Sequence, residues 1–248
     1  MFETFYLGTP EPNWLGRVSV PLIVSKRKVG GVKTLPRALG RWALDSGGFS
    51  ELSINGSYSF TPKEYVSVVR RVATEIGNMD WAAIMDWMCE DIMLKKTGLS
   101  IQDHQRLTCE SYDELTYLAP EINWVPVLQG KTISDYLRHV DMYTDRNVDL
   151  SQLSLVGVGS VCRRQKTIQV GMIFAWLKDR NIRMHGFGVK SGGLNLYKQY
   201  LVSADSHAWS LAARYKNTKT MECTHKSPTC TGCLNYALRW REEVLSNI

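Results

Sequence analysis

Four polar residues follow short apolar runs, at positions where a protein core would favour apolar side chains. They are Asp45 in ALDSGGF, Asp86 in IMDWM, Gln129 in VLQG and Asp205 in SADS. A buried carboxylate is costly without partners, although a single aspartate after a strand often caps the next helix. Three carboxylates and an amide at corresponding positions indicate a shared pocket, where carboxylates can transfer protons or act as nucleophiles.

Glycines accompany several of these positions. Gly47 and Gly48 lie just after Asp45, with Phe49 next, and the segments GVGS and GFGVKSGG repeat this feature on two later predicted strands. Glycine lets backbone approach a ligand closely and tolerates positive φ angles. We interpret these segments as backbone surface against a flat ligand, with Lys190 as a candidate phosphate contact. Neither GVG nor GFG completes a dinucleotide-binding fingerprint.

A second cluster indicates metal binding. The segment CTHKSPTCTGC contains Cys223, His225, Cys230 and Cys233. Thiolate and imidazole ligands at this spacing can surround zinc tetrahedrally, and four protein ligands leave no open position for chemistry. The sequence therefore predicts a structural zinc site in residues 221–235, followed by a terminal helix over 234–246. The alternative is a surface loop whose four polar side chains bind nothing.

The elements that must position these residues are alternating apolar runs and amphipathic segments. The apolar runs cover residues 4–8, 20–25, 42–46, 81–87, 124–130, 155–160, 184–189 and 201–206. Continuous apolarity is typical of parallel strands that are covered on both faces. Helical patterns cover residues 61–77, 100–119, 132–146 and 164–180. Residues 1–248 are thus predicted to form one α/β domain, a TIM-type (β/α)₈ barrel with the zinc segment packed on it. A doubly wound open sheet is the alternative.

Charge and composition indicate the kind of binding partner and the cellular compartment of the protein. The chain of 248 residues has a net charge of +6, which favours a polyanionic partner such as a nucleic acid, although a solvated basic surface would look the same. No apolar run approaches the roughly 20 residues of a membrane span, and residues 1–9 do not resemble a signal peptide. We expect a cytoplasmic protein, and the clustered cysteines favour metal over disulfides.

The motif order resembles that of the tRNA-guanine transglycosylases. LDSGGF, IMDWMCED, VLQG, VGVGSV, HGFGV, SADS and the Cys/His cluster occur in that order. This family is a zinc-bearing TIM barrel that exchanges guanine for a 7-deazaguanine base. The segments FYLGTPEPNWL and YALRWRE resemble more closely its small bacterial and phage branch, which is linked to 7-deazaguanine insertion into DNA.

The resemblance implies a role for each site residue. Asp205 matches the nucleophile that forms a covalent aspartyl-nucleoside, and Asp45 matches the carboxylate that handles protons. Asp86 and Gln129 match the residues that bind the guanine edge, and the backbone of Gly159 and Ser160 matches a donor to the guanine carbonyl. It further implies a structural Zn²⁺, a preQ0-type incoming base, and a bacterial or phage-infected cytoplasm, with a homodimer or helper proteins as possible assemblies.

The sequence also departs from the family pattern. Ser50 stands where the family has glutamine, HAWS replaces Pro-Thr-Arg after the nucleophile, and histidine is second in the zinc cluster. Three alternatives therefore stay open. They are the same exchange on tRNA, a non-catalytic nucleic-acid-binding homologue, and a metal-dependent hydrolase, for which His185 is the one candidate strand-end histidine.

Overall fold

The sheet of this chain is wholly parallel and nearly closed. The computed structural model describes residues 2–162, 164, 167–216, 223 and 225–247. Its strands are β1 (Thr4–Gly8), β2 (Leu22–Ser25), β3 (Trp42–Asp45), β4 (Met79–Ala83), β5 (Trp124–Val125), β6 (Val127–Leu128), β7 (Val156–Val158), β8 (Met184–Gly186) and β9 (Leu201–Ser206). Their order is β5-β4-β3-β2-β1-β9-β8-β7-β6. The predicted TIM-type α/β barrel is confirmed.

The two ends of this order are two halves of one interrupted strand. β5 pairs with β4, β6 pairs with β7, and only Pro126 separates β5 from β6. Proline lacks the N–H that a central strand needs, so it interrupts the ladder. Its carbonyl still accepts a hydrogen bond from the Gly157 N–H at 2.8 Å. The eight predicted apolar runs thus supply nine strand segments that surround one axis.

Helices cover the outside of the barrel. They are α1 (Lys26–Val29), α2 (Gly48–Asn55), α3 (Pro62–Ile76), α4 (Asp91–Thr97), α5 (Ile101–Leu118), α6 (Ile133–Thr144), α7 (Ile168–Asp179), α8 (Ser191–Tyr197), α9 (Ala208–Lys216) and α10 (Leu234–Ser246), with short 3₁₀ helices at Pro12–Gly16 and Leu150–Gln152. None of the helices among the described residues is long and apolar enough to span a membrane.

The sequence signals at helix ends account for the best-predicted helices. The Thr61 side chain accepts from the Glu64 N–H while the Glu64 side chain accepts from the Thr61 N–H, which is a capping box ahead of α3. Ser100 and Thr132 form the same arrangement ahead of α5 and α6. Each box satisfies backbone donors that the first helical turn leaves unpaired. The predicted helix over 164–180 instead begins at Ile168, and residues 163, 165 and 166 lie outside the described part of the chain.

Two apolar layers hold the barrel together. The outer layer lies between strands and helices, and it includes the fully buried Leu7, Leu44 and Val69. The inner layer fills the barrel axis with Tyr6, Ile23, Ala43, Trp81, Ala83, Val125, Leu155 and Val202. Because side chains alternate between the two faces of a strand, Tyr6 points inward where Leu7 points outward. The interior is therefore packed below the site described next.

The segment after α9 packs against the outer layer. Cys223, Cys230 and Cys233 are buried together with Trp209, and the Trp209 Nε1–H donates to the Gly8 carbonyl at 2.8 Å. Residues 221, 222 and 224 of the predicted zinc segment lie outside the described residues. α10 begins directly after Cys233 and matches the predicted terminal helix.

Candidate active site

The alternation of side chains brings three polar residues to one mouth of the barrel. Ser25 and Asp45 each lie two residues after an interior residue, Ile23 and Ala43, and the two are paired in register. Asp205 pairs with the interior residue Tyr6 across β9 and β1. A period of two places all three side chains inward, at the carboxyl ends of their strands. This is the end at which TIM-barrel enzymes carry their active sites.

These residues line a single cavity of about 260 Å³. Its wall is formed by Gly8, Thr9, Ile23, Ser25, Asp45, Phe49, Asp86, Met88, Glu90, Gln129, Gly159, Ser160, Cys162, Phe187, Gly188, Asp205 and His207. All four strand-end residues singled out in the sequence are members of this set. The predicted shared pocket therefore exists, although the binding and catalytic roles of its residues stay predictions.

Asp45 lies in a setting that favours its neutral form. Burial, together with the nearby carboxylates of Asp86 and Asp205, raises the pKa of the Asp45 carboxyl to about 7. The Gly47 N–H donates to Asp45 Oδ2 at 3.0 Å and opposes the shift. A carboxyl group with a pKa near neutrality can both donate and accept a proton at physiological pH, as a general acid–base catalyst must.

Asp86 and Gln129 are joined by a chain of hydrogen bonds. The Cys89 N–H donates to Ser160 Oγ at 2.8 Å, so the Ser160 hydroxyl directs its own hydrogen to Gln129 Oε1 at 2.6 Å. This fixes the orientation of the Gln129 amide, whose Nε2–H donates to Asp86 Oδ2 at 2.5 Å. Ser46 Oγ donates to Asp86 Oδ1 at 3.3 Å. Burial raises the pKa of Asp86 to about 6.

Gly159 and Ser160 support this chain through their backbone. A Cβ at Gly159 would lie 2.3 Å from Gln129 Nε2, so any larger residue there would displace the Gln129 amide. The Gly159 N–H donates to the Leu128 carbonyl at 3.0 Å and its carbonyl accepts from the Tyr136 hydroxyl at 2.6 Å. Of the two predicted backbone donors, only the Ser160 N–H therefore has no partner among the described residues. Ser160 itself has a φ of 56°.

Asp205 is held through one of its two oxygens. The Gly188 N–H donates to Asp205 Oδ1 at 2.8 Å, and His185 Nε2 lies 3.3 Å from the same atom. Gly188 was expected within its strand, but β8 ends at Gly186, and Gly188 lies in the following turn with a φ of 63°. That left-handed φ favours glycine and turns the N–H toward the carboxylate.

The two glycines after Asp45 shape the backbone around that residue. Gly47 has a φ of 81° and its N–H is bound to Asp45, while a Cβ at Gly48 would lie 2.6 Å from the Tyr58 hydroxyl. α2 begins at Gly48, so this segment forms the start of a helix. Neither glycine lines the cavity. They shape the backbone beneath Asp45, and direct ligand contact stays a prediction.

Phe49 and Lys190, which were named from the sequence, and Trp87, which follows Asp86, lie at different positions relative to the cavity. Phe49 lines the cavity and is 42% exposed, so a flat ligand can reach its ring. Trp87 does not line the cavity, because its ring packs against Tyr58 and His104. Lys190 is exposed outside the cavity wall.

Sequence reasoning missed several members of the wall. Met88, Glu90 and Cys162 line the cavity, and the Cys162 thiol lies 3.3 Å from Glu90 Oε1. An adjoining pocket shares Glu90 and Ser160 and is lined by Lys95, Lys131 and Arg164. Arg163 lies outside the described residues. These wall residues carry no spacing signal, because loops of different strands supply them.

The Cys/His cluster lies together as a candidate metal site. The ligand atoms of Cys223, His225, Cys230 and Cys233 are all within 4.8 Å of one another. Cys223 Sγ lies 3.3 Å from Cys233 Sγ and 3.6 Å from Cys230 Sγ. Tetrahedral bonds of about 2.3 Å to zinc place sulfur ligands roughly 3.8 Å apart, close to this arrangement. The set fits a metal ion.

The histidine of the cluster is also oriented for a metal. His225 Nδ1 lies 3.1 Å from the Ser227 carbonyl oxygen, which only an Nδ1–H can approach favourably. The Nε2 lone pair then faces the cluster, where it lies 3.5 Å from Cys230 Sγ. A backbone carbonyl that fixes the second ring nitrogen is the usual support of a metal-bound histidine.

A family model described as DpdA, DeoxyPurine in DNA protein A, matches residues 1–248. Two crystal structures of a protein from Sinorhizobium meliloti, described as an isomerase and one of them in an open loop conformation, share 12% identity and a TM-score of 0.43 with this chain. Each match covers 82% of this chain and 50% of the other, so this chain spans about half their length. Comparison with curated proteins gives no match.

Proposed function

The chain belongs to the DpdA family, the DNA 7-deazaguanine insertion family related to tRNA-guanine transglycosylases, and we propose that it exchanges a guanine base in DNA for a 7-deazaguanine. The observation that carries this proposal is the grouping of Asp45, Asp86, Gln129 and Asp205 around one cavity of about 260 Å³. Pockets for drug-sized ligands occupy about 300–1,000 Å³. A slightly smaller cavity suits a single purine whose sugar stays at the mouth.

Base recognition falls to Asp86 and Gln129. The Asp86 carboxylate can accept from the N1–H and the exocyclic amine of guanine, and the second Nε2 hydrogen of Gln129 can reach the O6 oxygen. Their mutual hydrogen bond at 2.5 Å holds donor and acceptor side by side before the base arrives. A different base would leave these buried groups unpaired, which is a strong basis for rejecting it.

Bond cleavage falls to Asp205 and Asp45. The Asp205 carboxylate attacks C1′ of the deoxyribose, the bond from C1′ to the base nitrogen breaks, and the departing guanine takes a proton from the Asp45 carboxyl. The incoming 7-deazaguanine then gives its ring N–H proton to the Asp45 carboxylate. Its nitrogen attacks C1′ and displaces Asp205, so two inversions retain the configuration, as in retaining glycosidases.

The substrate must present its base outside the helix stack. A strand-end cavity that holds one base cannot admit a stacked nucleotide, so the target guanine must flip out or lie in single-stranded DNA. The net charge of +6 is consistent with a polyanionic partner. We propose preQ0-type bases as incoming substrates, and zinc as the structural metal of the Cys/His cluster.

A labelled-guanine exchange assay tests this function. Duplex DNA, single-stranded DNA and unmodified tRNA are each incubated with labelled guanine and the protein, and the label retained in polymer is counted. The proposal predicts that label enters DNA and is displaced from it when a 7-deazaguanine base is added. Label in tRNA alone would support the tRNA alternative. No label in any polymer, with nucleic acid still bound, would support a non-catalytic homologue.

A further inference from the structure

A fully buried histidine lies directly behind the proposed nucleophile. His185 is 0% exposed, and its two ring nitrogens face two residues of the neighbouring strand β9. Nδ1 lies 2.8 Å from Ser203 Oγ, and Nε2 lies 3.3 Å from Asp205 Oδ1. β8 and β9 are paired at His185 and Ser203, so all three side chains occupy the barrel interior. The mechanism described above does not use His185.

Aromatic rings hold the imidazole in place. The rings of Tyr6, Trp81 and Phe187 approach it edge to face, with centroids at 5.9, 4.9 and 4.7 Å. Trp81 and Tyr6 are in turn joined by a hydrogen bond of 3.1 Å from Trp81 Nε1 to the Tyr6 hydroxyl. An imidazole packed on three sides cannot rotate freely, so its contact with Asp205 has a fixed direction.

The chemistry of the partners determines which nitrogen carries the hydrogen. The attacking form of Asp205 is a carboxylate, which accepts hydrogen bonds and donates none. His185 Nε2 must therefore carry a hydrogen toward Asp205 Oδ1. Nδ1 of the neutral ring is then an acceptor, and the Ser203 hydroxyl can donate to it. Ser203 thus selects the tautomer that serves the carboxylate.

We infer that His185 is a positioning residue for Asp205, an inference that rests on the proposed function. Gly188 N–H and His185 Nε2–H both donate to Oδ1, and no hydrogen bond from the described residues reaches Oδ2. Two donors on one oxygen fix the plane of the carboxylate and leave the other oxygen free to attack C1′. Fixed geometry of this kind accelerates a reaction because a misplacement of 1 Å can cost about 100-fold in rate.

Paired substitutions separate positioning from simple packing. His185→Gln keeps an amide N–H that can reach Asp205 from a similar distance, whereas His185→Leu keeps volume and removes the donor. We expect His185→Leu to lower kcat for exchange by about 100-fold with KM for the free base unchanged, because Asp86 and Gln129 still bind it. His185→Gln should recover at least tenfold of that loss. Ser203→Ala should lower kcat less than His185→Leu does, since it removes only the hydroxyl that favours the Nε2–H tautomer of His185.

Each outcome bears on the inference. A wild-type kcat in His185→Leu would overturn it. If His185→Leu and His185→Gln lost kcat equally and also lost thermal stability equally, the residue would act through packing alone, and the inference would be overturned too. Recovery in His185→Gln at an unfolding midpoint equal to that of His185→Leu would support it. Absence of exchange by the wild-type protein would overturn both the proposed function and this inference. Exchange by the wild-type protein with an unchanged kcat in His185→Leu would overturn this inference alone.

Discussion

Gln129 Nε2 donates to Asp86 Oδ2 at 2.5 Å, so the two side chains proposed to bind guanine are already bonded to each other. Ser160 Oγ donates to Gln129 Oε1 and prevents the amide from turning over. Both side chains are at most 5% exposed. Because the two side chains are already ordered, base binding does not lose the free energy that ordering them would otherwise cost.

The close approach of Gly159 to Gln129 gives a sharp test of this arrangement. In Gly159→Ala the new Cβ would lie 2.3 Å from Gln129 Nε2 and displace the amide. We expect kcat/KM for base exchange to fall on the order of 100-fold. Gly31→Ala is the matched control, because a Cβ there meets nothing within 4 Å. Wild-type kinetics in Gly159→Ala would contradict a fixed Gln129.

The pKa values of two carboxyls predict a bell-shaped pH profile for covalent adduct formation. Base binding needs ionised Asp86, whose pKa is about 6, so the rate should fall as pH decreases below that value. Release of guanine needs protonated Asp45, whose pKa is about 7, so the rate should fall about tenfold per pH unit well above it. Single-turnover kinetics from pH 5 to 9 measure both limbs. Asp45→Asn should be slow and should lack the alkaline limb, and retention of that limb would assign it to another group.

Asp45 should also lower the stability of the fold at neutral pH. Its pKa is raised from 3.8 to about 7 on folding, so the folded state prefers the protonated form. The stability contributed by Asp45 is complete below pH 3.8 and is lost as pH rises to about 7. Asp45→Asn should therefore be more stable than wild type by about 2–4 kcal/mol at pH 8, and by much less at pH 4. Denaturant unfolding at both pH values measures the difference, and a difference independent of pH would refute this account.

The metal cluster should contribute to stability more than to chemistry. We expect about one zinc ion per chain, and loss of that ion from Cys230→Ser with a lower unfolding midpoint. Cys109→Ser is the matched control, because Cys109 is fully buried but lies outside the cluster. Metal analysis and thermal unfolding are the measurements. Equal zinc content in wild type and Cys230→Ser would remove Cys230 from the ligand set.

Much of the site could be predicted because it follows from strand periodicity. Asp45 lies within β3, two residues beyond the interior Ala43, and Asp205 lies within β9 beside the interior Tyr6 of β1, so an apolar run followed by a polar residue was a sufficient signal. Gln129 directly follows β6. Helix ends with capping boxes were equally clear, since a Ser or Thr followed three residues later by an acidic residue satisfies known backbone donors.

The rest depends on long-range geometry that local patterns do not contain. β4 ends at Ala83, so the loop beyond it carries Asp86 into the cavity. The contact between His185 and Asp205 depends on a register shift between β8 and β9, and the sequence offered His185 only as a candidate metal ligand. The start of α2 at Gly48 was missed because glycine is a poor helix former. Glycine stands there because a Cβ would lie 2.6 Å from the Tyr58 hydroxyl.

The central claim is that Asp205 forms a covalent bond to the deoxyribose of DNA, and intact-mass analysis tests it most directly. Wild-type protein incubated with guanine-containing DNA, without an incoming base, should gain the mass of the strand less guanine, located by peptide mapping to Asp205. Asp205→Ala should gain none, while Asp80→Asn, at the opposite mouth of the barrel, should behave as wild type. An adduct that persists in Asp205→Ala, or base exchange by that variant at the wild-type rate, would contradict the account.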